Sequence, residues 1–546
     1  MEARKAKRPN KPNQLYQRYF CHSMTSKKTI AELLELRARQ TPDDVFGIHA
    51  DGEITFRTLE SRVNRLANGL AKLGVAAGQR VAVIFANHPD HIFTFFALAK
   101  LGAVWVPINT NLRGAGLEFI FEQSEPRTVI ADAQFWPHLK SLPAANKIDT
   151  LVIRNPGAPA EPSDGLDFAF AAGGNGAPVR TAATMEDVRA IFFTSGTTGP
   201  PKGAPLTEKM LTTCAAAAGR AADVRPGDVF LLWEPVYHTS GAQMCVLALM
   251  EPVKLAIVPR FSASRFWEQI RKYQVTKLHY LGGILDILLK QPPGPYDRDH
   301  NVRIAFGAGC TKGAWKTFEQ RFGVEIREVY GMTEASCFTT LNRTGKVGSI
   351  GKPYPYFELR IVDDNGQPVE AGQSGEICVR EQESGLIMQG YLENSAGTGA
   401  ELRNGWLYTG DLACCDAEGD YYYLGRKKDS FRRRGENISA WEVEHIINAH
   451  PDIQESAVVG VAAEVGEQDL KVFIKCASGV RLDPLDFIKW CEPRMAYYQI
   501  PRYIAFIEDF EKTPTQRISK ERLSRDITDC WDLEKSGYRI SRLFHT

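Results

Sequence analysis

The sequence predicts an α/β protein of two unequal parts: a large N-terminal domain of parallel-rich sheets covered by helices, followed by a small α+β domain. Three observations predict this. At 546 residues the chain is too long for one ordinary hydrophobic core. Strand-like apolar runs alternate with helical ones through the first half, the mark of a parallel sheet covered on both faces. From roughly residue 430 the pattern changes to a short helix followed by neighbouring strand-like runs, a separate α+β unit.

Taken in order, Thr29 to Gln40 reads as an amphipathic helix and Thr41-Pro42-Asp43-Asp44 as a turn. Thr55-Phe56 precedes a helix from Leu59 to Leu73, then a strand from Arg80 to Phe85, a helix from Ile92 to Leu101 and a strand from Val104 to Pro107. The apolar stretch from Ile92 to Ile108 is not a membrane span. Lys100 interrupts it, and Gly102 and Pro107 punctuate it, so a buried helix running into a buried strand is the expectation. Gly157 to Pro178, rich in Gly, Ala and Pro, reads as a surface insertion. Glu208 to Ala222 is helical, Phe230 to Trp233 a strand, and Arg303 to Phe306 another.

Composition narrows the function. Apolar residues make up 44% and charged residues 24%, as in soluble globular proteins, and the net charge of +1 offers nothing to nucleic acid or an anionic membrane. Eleven cysteines form no CxxC pair, so neither a zinc site nor a disulfide framework is indicated, and a reducing, cytoplasmic compartment is expected. Residues 1–28 carry Arg4, Lys5, Lys7, Arg8, Lys11, Arg18, Lys27 and Lys28 against Glu2 alone, with no apolar core behind them. They read as a disordered basic tail and not as a secretory signal.

Chemistry concentrates at strand ends. Thr194-Ser195-Gly196-Thr197-Thr198-Gly199-Pro200-Pro201-Lys202-Gly203 follows the apolar run Ala190 to Phe193. Glycines permit close backbone approach, hydroxyls and N–H groups face an anion, and Lys202 adds a point charge. Lys202 precedes glycine and not Ser or Thr, so this is not a Walker A loop. Gly307-Ala308-Gly309-Cys310-Thr311-Lys312-Gly313 is one residue too long for GxGxxG and is a weak signal alone. Tyr330-Gly331-Met332-Thr333-Glu334 ends a strand with a hydroxyl and a hard oxygen ligand, suited to Mg²⁺ carried by a nucleotide. Asp411 closes Trp406-Leu407-Tyr408-Thr409-Gly410-Asp411 with a carboxylate able to accept two hydrogen bonds from a diol.

Together these segments resemble the ordered motifs of the adenylate-forming superfamily, which holds acyl-CoA synthetases, peptide-synthetase adenylation domains and firefly-type luciferases. The resemblance runs from about residue 29 to 525. It implies a small β-barrel-like part at the end of the large domain, a mobile C-terminal domain, and boundaries at 1–28, 29–427 and 428–546. It implies that Thr194 to Gly199 with Lys202 clamps the triphosphate of ATP, and that Thr198 and Glu334 hold Mg²⁺. Gly307, Ala308, Gly309, Tyr330, Gly331, Met332 and Thr333 border the nucleotide and the acyl pocket, and Asp411 takes the ribose hydroxyls. His238, in Pro235-Val236-Tyr237-His238-Thr239-Ser240-Gly241, borders the acyl carboxylate. Within Gly425-Arg426-Lys427-Lys428-Asp429, Arg426 approaches the nucleotide and Lys428 is the hinge. Gly435-Glu436-Asn437 marks the face where coenzyme A enters.

One segment departs from the pattern. The superfamily's C-terminal Gly-Lys, whose lysine bridges the attacking carboxylate and the α-phosphate, is here Gln516-Arg517. Arginine keeps the charge, but its planar fork differs from a compact ammonium. Arg517 acting in an altered geometry, Lys520 in its place, or impaired adenylation are the three readings. In a strand, an offset of three residues puts Lys520 on the opposite face about 10 Å away, which favours Arg517 with Lys520 in reserve and Lys512 third.

The expected enzyme is an AMP-forming acid–thiol ligase: a carboxylic acid is activated on Mg·ATP as an acyl adenylate, then passed to coenzyme A. The look is of the crotonobetaine/carnitine-CoA ligase-like and medium-chain branch. Trp233, Glu234 and Tyr237 could hold a quaternary ammonium, although an apolar acyl pocket would use aromatics equally well. The alternatives are an adenylation enzyme loading a separate carrier protein and a nucleotide- or acyl-binding pseudoenzyme. A small-molecule acid is the partner, with no nucleic acid and no transmembrane segment; a homodimer is compatible with the sequence.

Overall fold

Alternating strands and helices resolve into two large sheets. The computed structural model describes residues 27–155, 165–180, 182–194, 201–392, 399, 401–433, 436–463, 468–513 and 517–540. In the seven-stranded sheet the order is Leu166–Asp167, Thr150–Arg154, Thr128–Asp132, Arg80–Ile84, Val104–Pro107, Val188–Thr194 and Lys202–Thr207. All neighbours are parallel except the last two, which form an antiparallel hairpin. The nine-stranded sheet has a parallel centre of Glu325–Tyr330, Ile304–Ala308, Lys277–Leu281, Val229–Leu232, Lys254–Ile257 and Val45–His49, with antiparallel strands at both edges. The helices Glu208–Ala222 and Thr239–Met250 join one hydrophobic cluster with strands of both sheets.

Local chemistry explains the element boundaries. The helix Phe56–Lys72 begins three residues before the expected Leu59, because the Thr55 hydroxyl accepts the Thr58 N–H and caps it. The helix Pro89–Leu101 starts with proline at its first position behind a His88 cap and ends at Gly102 in the left-handed region, φ 70°. Nearly all of its residues are buried, as expected for a helix apolar on every side. Lys100 is fully buried within it and donates to Glu60 at 2.7 Å and to Asn64 at 2.9 Å. Those partners make its burial tolerable.

The expected surface insertion is corrected over residues 165–172, while 175–178 are exposed and irregular as expected and 157–164 lie outside the described residues. Leu166–Asp167 adds an edge strand, and Phe168–Ala172 is a helix whose Phe168 and Ala171 are buried in the main core. The partner helix admits it through Gly69, where a Cβ would lie 1.8 Å from the Ala171 carbonyl oxygen.

A five-stranded antiparallel sheet follows, Phe357–Val362, Ser374–Glu381, Trp406–Cys415, Leu402–Arg403 and Tyr421–Arg426. Beyond it, the ribbon Ser430–Arg433 and Glu436–Ser439, the helices Ala440–Ile447 and Pro484–Cys491 and a four-stranded sheet share a separate core around Ile438, Val443, Ile474 and Phe487. Lys290 reaches this C-terminal unit and donates to the Ile453 carbonyl at 2.9 Å. Among the described residues, no helix is long and apolar enough to cross a membrane.

Candidate active site

The motif-bearing strands end close together, linked by side-chain bonds from Thr239 to Thr333, from Tyr330 to Asp411 and from Glu334 through Tyr391 and Glu401 to Lys202, and the space they border is called the crevice below. Thr194 pairs with Lys202 across the hairpin, and its hydroxyl donates to the Lys202 carbonyl at 3.3 Å. The phosphate-type loop therefore leads into an antiparallel strand and not into a helix, which separates it physically from a Walker A loop. Ser195, Gly196, Thr197, Thr198 and Gly199 lie outside the described residues, as does Gly435.

Lys202 shows what that hairpin faces. Its ammonium pairs with Glu401 and lies 4.8 Å from the centre of the Tyr391 ring. The Tyr391 hydroxyl bonds Glu401 and donates to Glu334 at 2.9 Å. Lys202, Glu401, Tyr391 and Glu334 thus form one continuous network. Glu334 sits on the single turn Thr333–Ala335, and burial raises its carboxyl above the ordinary value. Thr333 meets the Thr239 hydroxyl at 3.1 Å, tying this turn to the helix that starts after His238. Gly331 is required by the close approach of a neighbouring loop, since a Cβ there would fall 1.6 Å from the Cys337 carbonyl oxygen. Met332 packs half-buried against the core.

A second polar cluster closes on Asp411. Tyr330 donates to its carboxylate at 2.7 Å, Arg426 pairs with it at 2.8 Å, and Tyr423 donates at 3.4 Å. Burial raises the Asp411 carboxyl, opposed mainly by Arg426. The turn beginning Gly307-Ala308-Gly309 runs alongside. Gly309 and Cys310 donate their N–H groups to Glu328, at 2.5 and 3.2 Å, and Tyr280 donates its hydroxyl to the same group. Burial pushes Glu328 up to about 8. Gly307 cannot carry a side chain, because a Cβ would lie 1.9 Å from the Tyr280 carbonyl oxygen.

On the other side of Thr333, His238 caps the helix Thr239–Met250. Its Nδ1 accepts the Ser240 N–H at 3.2 Å, and the Ser240 hydroxyl lies 2.7 Å away. Nδ1 is thereby the acceptor, and Nε2 carries the proton of the neutral ring. Burial, with Arg517 and His279 behind it, pushes His238 down to about 4. Asn87 clamps this loop from the other sheet, donating to the Glu234 carbonyl at 2.7 Å and accepting from the Val236 N–H at 2.9 Å. The Glu234 carboxylate is bonded to His279 at 2.6 Å and to the Trp233 N–H at 3.2 Å, so it is not the open anion that a quaternary ammonium would need.

The C-terminal unit brings one cation to this crevice. The chain turns back between Lys512 and Ile518, which form a bridge, and Thr513 N–H donates to the Arg517 carbonyl at 2.7 Å. Arg517 projects exposed from that turn, and its charge lowers the pKa values of His238, Asp411 and Tyr423. Lys520 instead pairs with Glu444 at 2.7 Å, and Lys512 with Glu455 at 2.6 Å, both within the C-terminal unit. Lys428 falls in the single turn Lys427–Asp429 after the Asp411–Arg426 pair, and Glu436 and Asn437 lie on the ribbon strand facing Ser430–Arg433.

Sequence reasoning missed Tyr391, Glu401, Asn87 and Glu328. Glu328 stands only two residues before Tyr330 on one strand, and was within reach of a period-two reading. The other three act across the fold.

Comparison with known proteins agrees with this architecture. The AMP-binding enzyme signature matches residues 34–392, and that of the AMP-binding enzyme C-terminal domain matches residues 442–517. The crotonobetaine/carnitine–CoA ligase of Salmonella typhimurium is 31% identical over 512 residues, covering 89% of this chain and 98% of the relative. The solved anthranilate CoA ligase in complex with anthranoyl-AMP is 26% identical, with a TM-score of 0.82, covering 90% of this chain and 96% of its own. ATP-bound MatB from Rhodopseudomonas palustris is 25% identical, with a TM-score of 0.79 over 90% and 97%. With the crevice, the two-unit architecture and matches spanning nearly all of the described chain, the protein belongs to the AMP-binding enzyme family.

Proposed function

We propose that the crevice between Lys202, Glu334, Asp411, His238 and Arg517 makes an acyl adenylate and then a coenzyme A thioester. The protein is an AMP-forming acyl-CoA ligase. In the first step a carboxylate oxygen bonds to the α-phosphorus of ATP, and the bond from that phosphorus to pyrophosphate breaks. In the second the coenzyme A thiol loses its proton, its sulfur bonds to the acyl carbon, and the bond to AMP breaks. Nothing covalent is asked of the protein; positioning and charge neutralisation carry both steps.

The observation that carries this reading is the placement of Arg517. Its charge is felt both at His238, on the acyl side, and at Asp411, on the ribose side, which supports a role for it where carboxylate and α-phosphate would meet. Lys202 with the hydroxyls from Thr194 to Thr198 grips the outer phosphates. It leaves Glu401 to do so, and the carboxylate stands in for phosphate until then. Asp411 accepts from the ribose hydroxyls in place of Tyr330 or Arg426. Half-buried Glu334, a hard oxygen donor beside the lysine, fits Mg²⁺ with Thr198, and the ion when bound neutralises phosphate charge. Gly307 to Gly309 and Tyr330 to Thr333 wall the nucleotide and acyl group. His238, neutral above about pH 4, offers an N–H to the acyl carboxylate without adding charge.

Between the steps the unit from residue 428 onward turns about Lys428, withdrawing Arg517 and bringing Gly435-Glu436-Asn437 to the crevice. The two domains of this reading are 29–427 and 428–546, and most of the basic tail at 1–28 lies outside the described residues. The scattered cysteines, with no paired spacing, support a reducing, cytoplasmic setting. Pyrophosphate exchange over a panel of carboxylic acids, followed by thioester detection after adding coenzyme A, tests the assignment. Exchange without thioester identifies a carrier-loading enzyme. Exchange absent with every acid, and restored by Arg517→Lys, identifies a binding protein.

A further inference from the structure

In the segment that leads to His238, Glu234 forms with His279 an ionisable pair sealed from water. Glu234 is 0% exposed and His279 2%, and Nδ1 of His279 lies 2.6 Å from the Glu234 carboxylate. Trp233 fixes both partners: its backbone N–H donates to Glu234 at 3.2 Å, and its indole N–H donates to the His279 carbonyl at 2.9 Å. The Phe306 and Phe338 rings flank the imidazole at 4.9 and 5.9 Å. Its far nitrogen, Nε2, is buried and has no hydrogen-bond partner. Gln243, one turn along the helix that His238 caps, is likewise fully buried, with neither amide atom bonded.

A net charge in such surroundings is costly, so the pair is held neutral overall. Neutrality, with Nδ1 and the carboxyl group sharing one proton, leaves the other proton on Nε2 whether the pair is ionised or not. If Glu234 is a carboxylate, His279 is an imidazolium with both nitrogens protonated. If Glu234 is a carboxylic acid, it donates to Nδ1, and the neutral ring carries its hydrogen on Nε2. In both cases Nε2 is a hydrogen-bond donor facing no acceptor. A buried donor left unmade is costly, and a ligand supplying an acceptor recovers that cost.

We propose that His279, oriented by Glu234, determines acid specificity by donating to an acceptor oxygen on the substrate. The substrate class is thus a carboxylic acid bearing a hydroxyl or oxo oxygen along its chain, in preference to the plain hydrocarbon acid. This rests on the acyl-adenylate reading of the same crevice. Glu234 here is a positioning residue.

Binding of paired acyl-sulfamoyl adenosines tests this without requiring turnover. The pairs carry the same chain of four to eight carbons with and without a hydroxyl or oxo oxygen, and a third series carries an ammonium group. Calorimetry with the full-length protein should show at least about tenfold tighter binding for the best oxygen-bearing analogue than for its plain counterpart. Glu234→Leu combined with His279→Phe removes donor and carboxylate together and should abolish that ratio. Should the double variant not fold, His279→Gln, which keeps an N–H, should retain the ratio and His279→Leu should lose it. Equal binding of both members by the wild type, a preference for the ammonium series, or a ratio surviving loss of the donor each overturn the inference while leaving the adenylate reading intact. Failure of every analogue to bind overturns both.

Discussion

Arg517 and Lys520 stand three residues apart, and the fold puts them to opposite uses. Arg517 leaves a turn closed by Thr513 and Ile518, stays exposed, and sends its charge toward His238 and Asp411. Lys520 opens the single turn Lys520–Arg522 and pairs with Glu444, a carboxylate that also accepts the Val458 N–H at 2.5 Å. Glu444 is mostly sealed, and burial raises its carboxyl, so leaving it without Lys520 would strand an acid in the C-terminal core. The difference teaches that a cation is available for transition-state work only where folding has not already claimed it. We propose that the motif, having lost its lysine, is served by Arg517 and not by Lys520, which Glu444 already holds.

Breaking the Arg517 side should have the largest effect. Arg517→Ala removes the charge placed between acyl and ribose sides and is expected to lower pyrophosphate exchange by about 10²–10³-fold, as for loss of one preorganised electrostatic group. Thermal stability should hardly change, because the residue is exposed. Lys520→Ala is the converse. It should destabilise the protein by about 2 kcal/mol in denaturant melts, less than the full cost of stranding a sealed charge because Lys520 is itself 24% exposed. Its exchange activity should stay near that of the wild type. Loss of exchange in Lys520→Ala at full stability would reverse the assignment. Arg517→Lys sharpens the comparison at a smaller scale: charge is kept and the fork is lost, so exchange should fall by about tenfold and not to the alanine level.

Those two cations also show where sequence reasoning reached and where it stopped. The glycine-rich turns, Tyr330 to Glu334 and Asp411 were legible because each is contiguous, with strand, glycine and functional side chain in one short run. Period-two geometry was the ground for preferring Arg517 to Lys520; the chain is bridged at Ile518 but turns from Lys520 onward, so what distinguishes the two in the fold is the pairing of Lys520 with Glu444. What was not legible depends on chain crossings. Lys202 meets Glu401 across 199 residues, and Asn87 clamps Glu234 across 147. The Glu234–His279 pair is built by neighbouring parallel strands whose order no local pattern states. The buried helix Phe168–Ala172 lay in a segment whose Gly, Ala and Pro content reads as loop, and only Gly69 on a distant helix makes room for it.

The smallest effect discriminates most finely. His238 is pushed down to about 4, first by burial, then by the Arg517 charge and then by His279. Removing a positive charge favours the imidazolium, so Arg517→Ala should raise the His238 pKa, while burial keeps it below the ordinary 6.5. Lys520→Ala should leave it unmoved. Histidine titration followed by NMR reads this directly. The linked stability has a definite sign: between about pH 6.5 and 4 the unfolded chain takes up a proton that folded His238 refuses, so stability falls as pH falls across that window. Each such histidine contributes about 1.4 kcal/mol per pH unit while it is protonated only in the unfolded chain. His91, fully buried and pushed down to about 3, adds a second contribution of the same sign reaching lower. Arg517→Ala should therefore shorten the His238 part of the window from its acid end and leave the His91 part intact. Equal shortening in Lys520→Ala would mean that both cations face the crevice, and the distinction between claimed and unclaimed charge would fall.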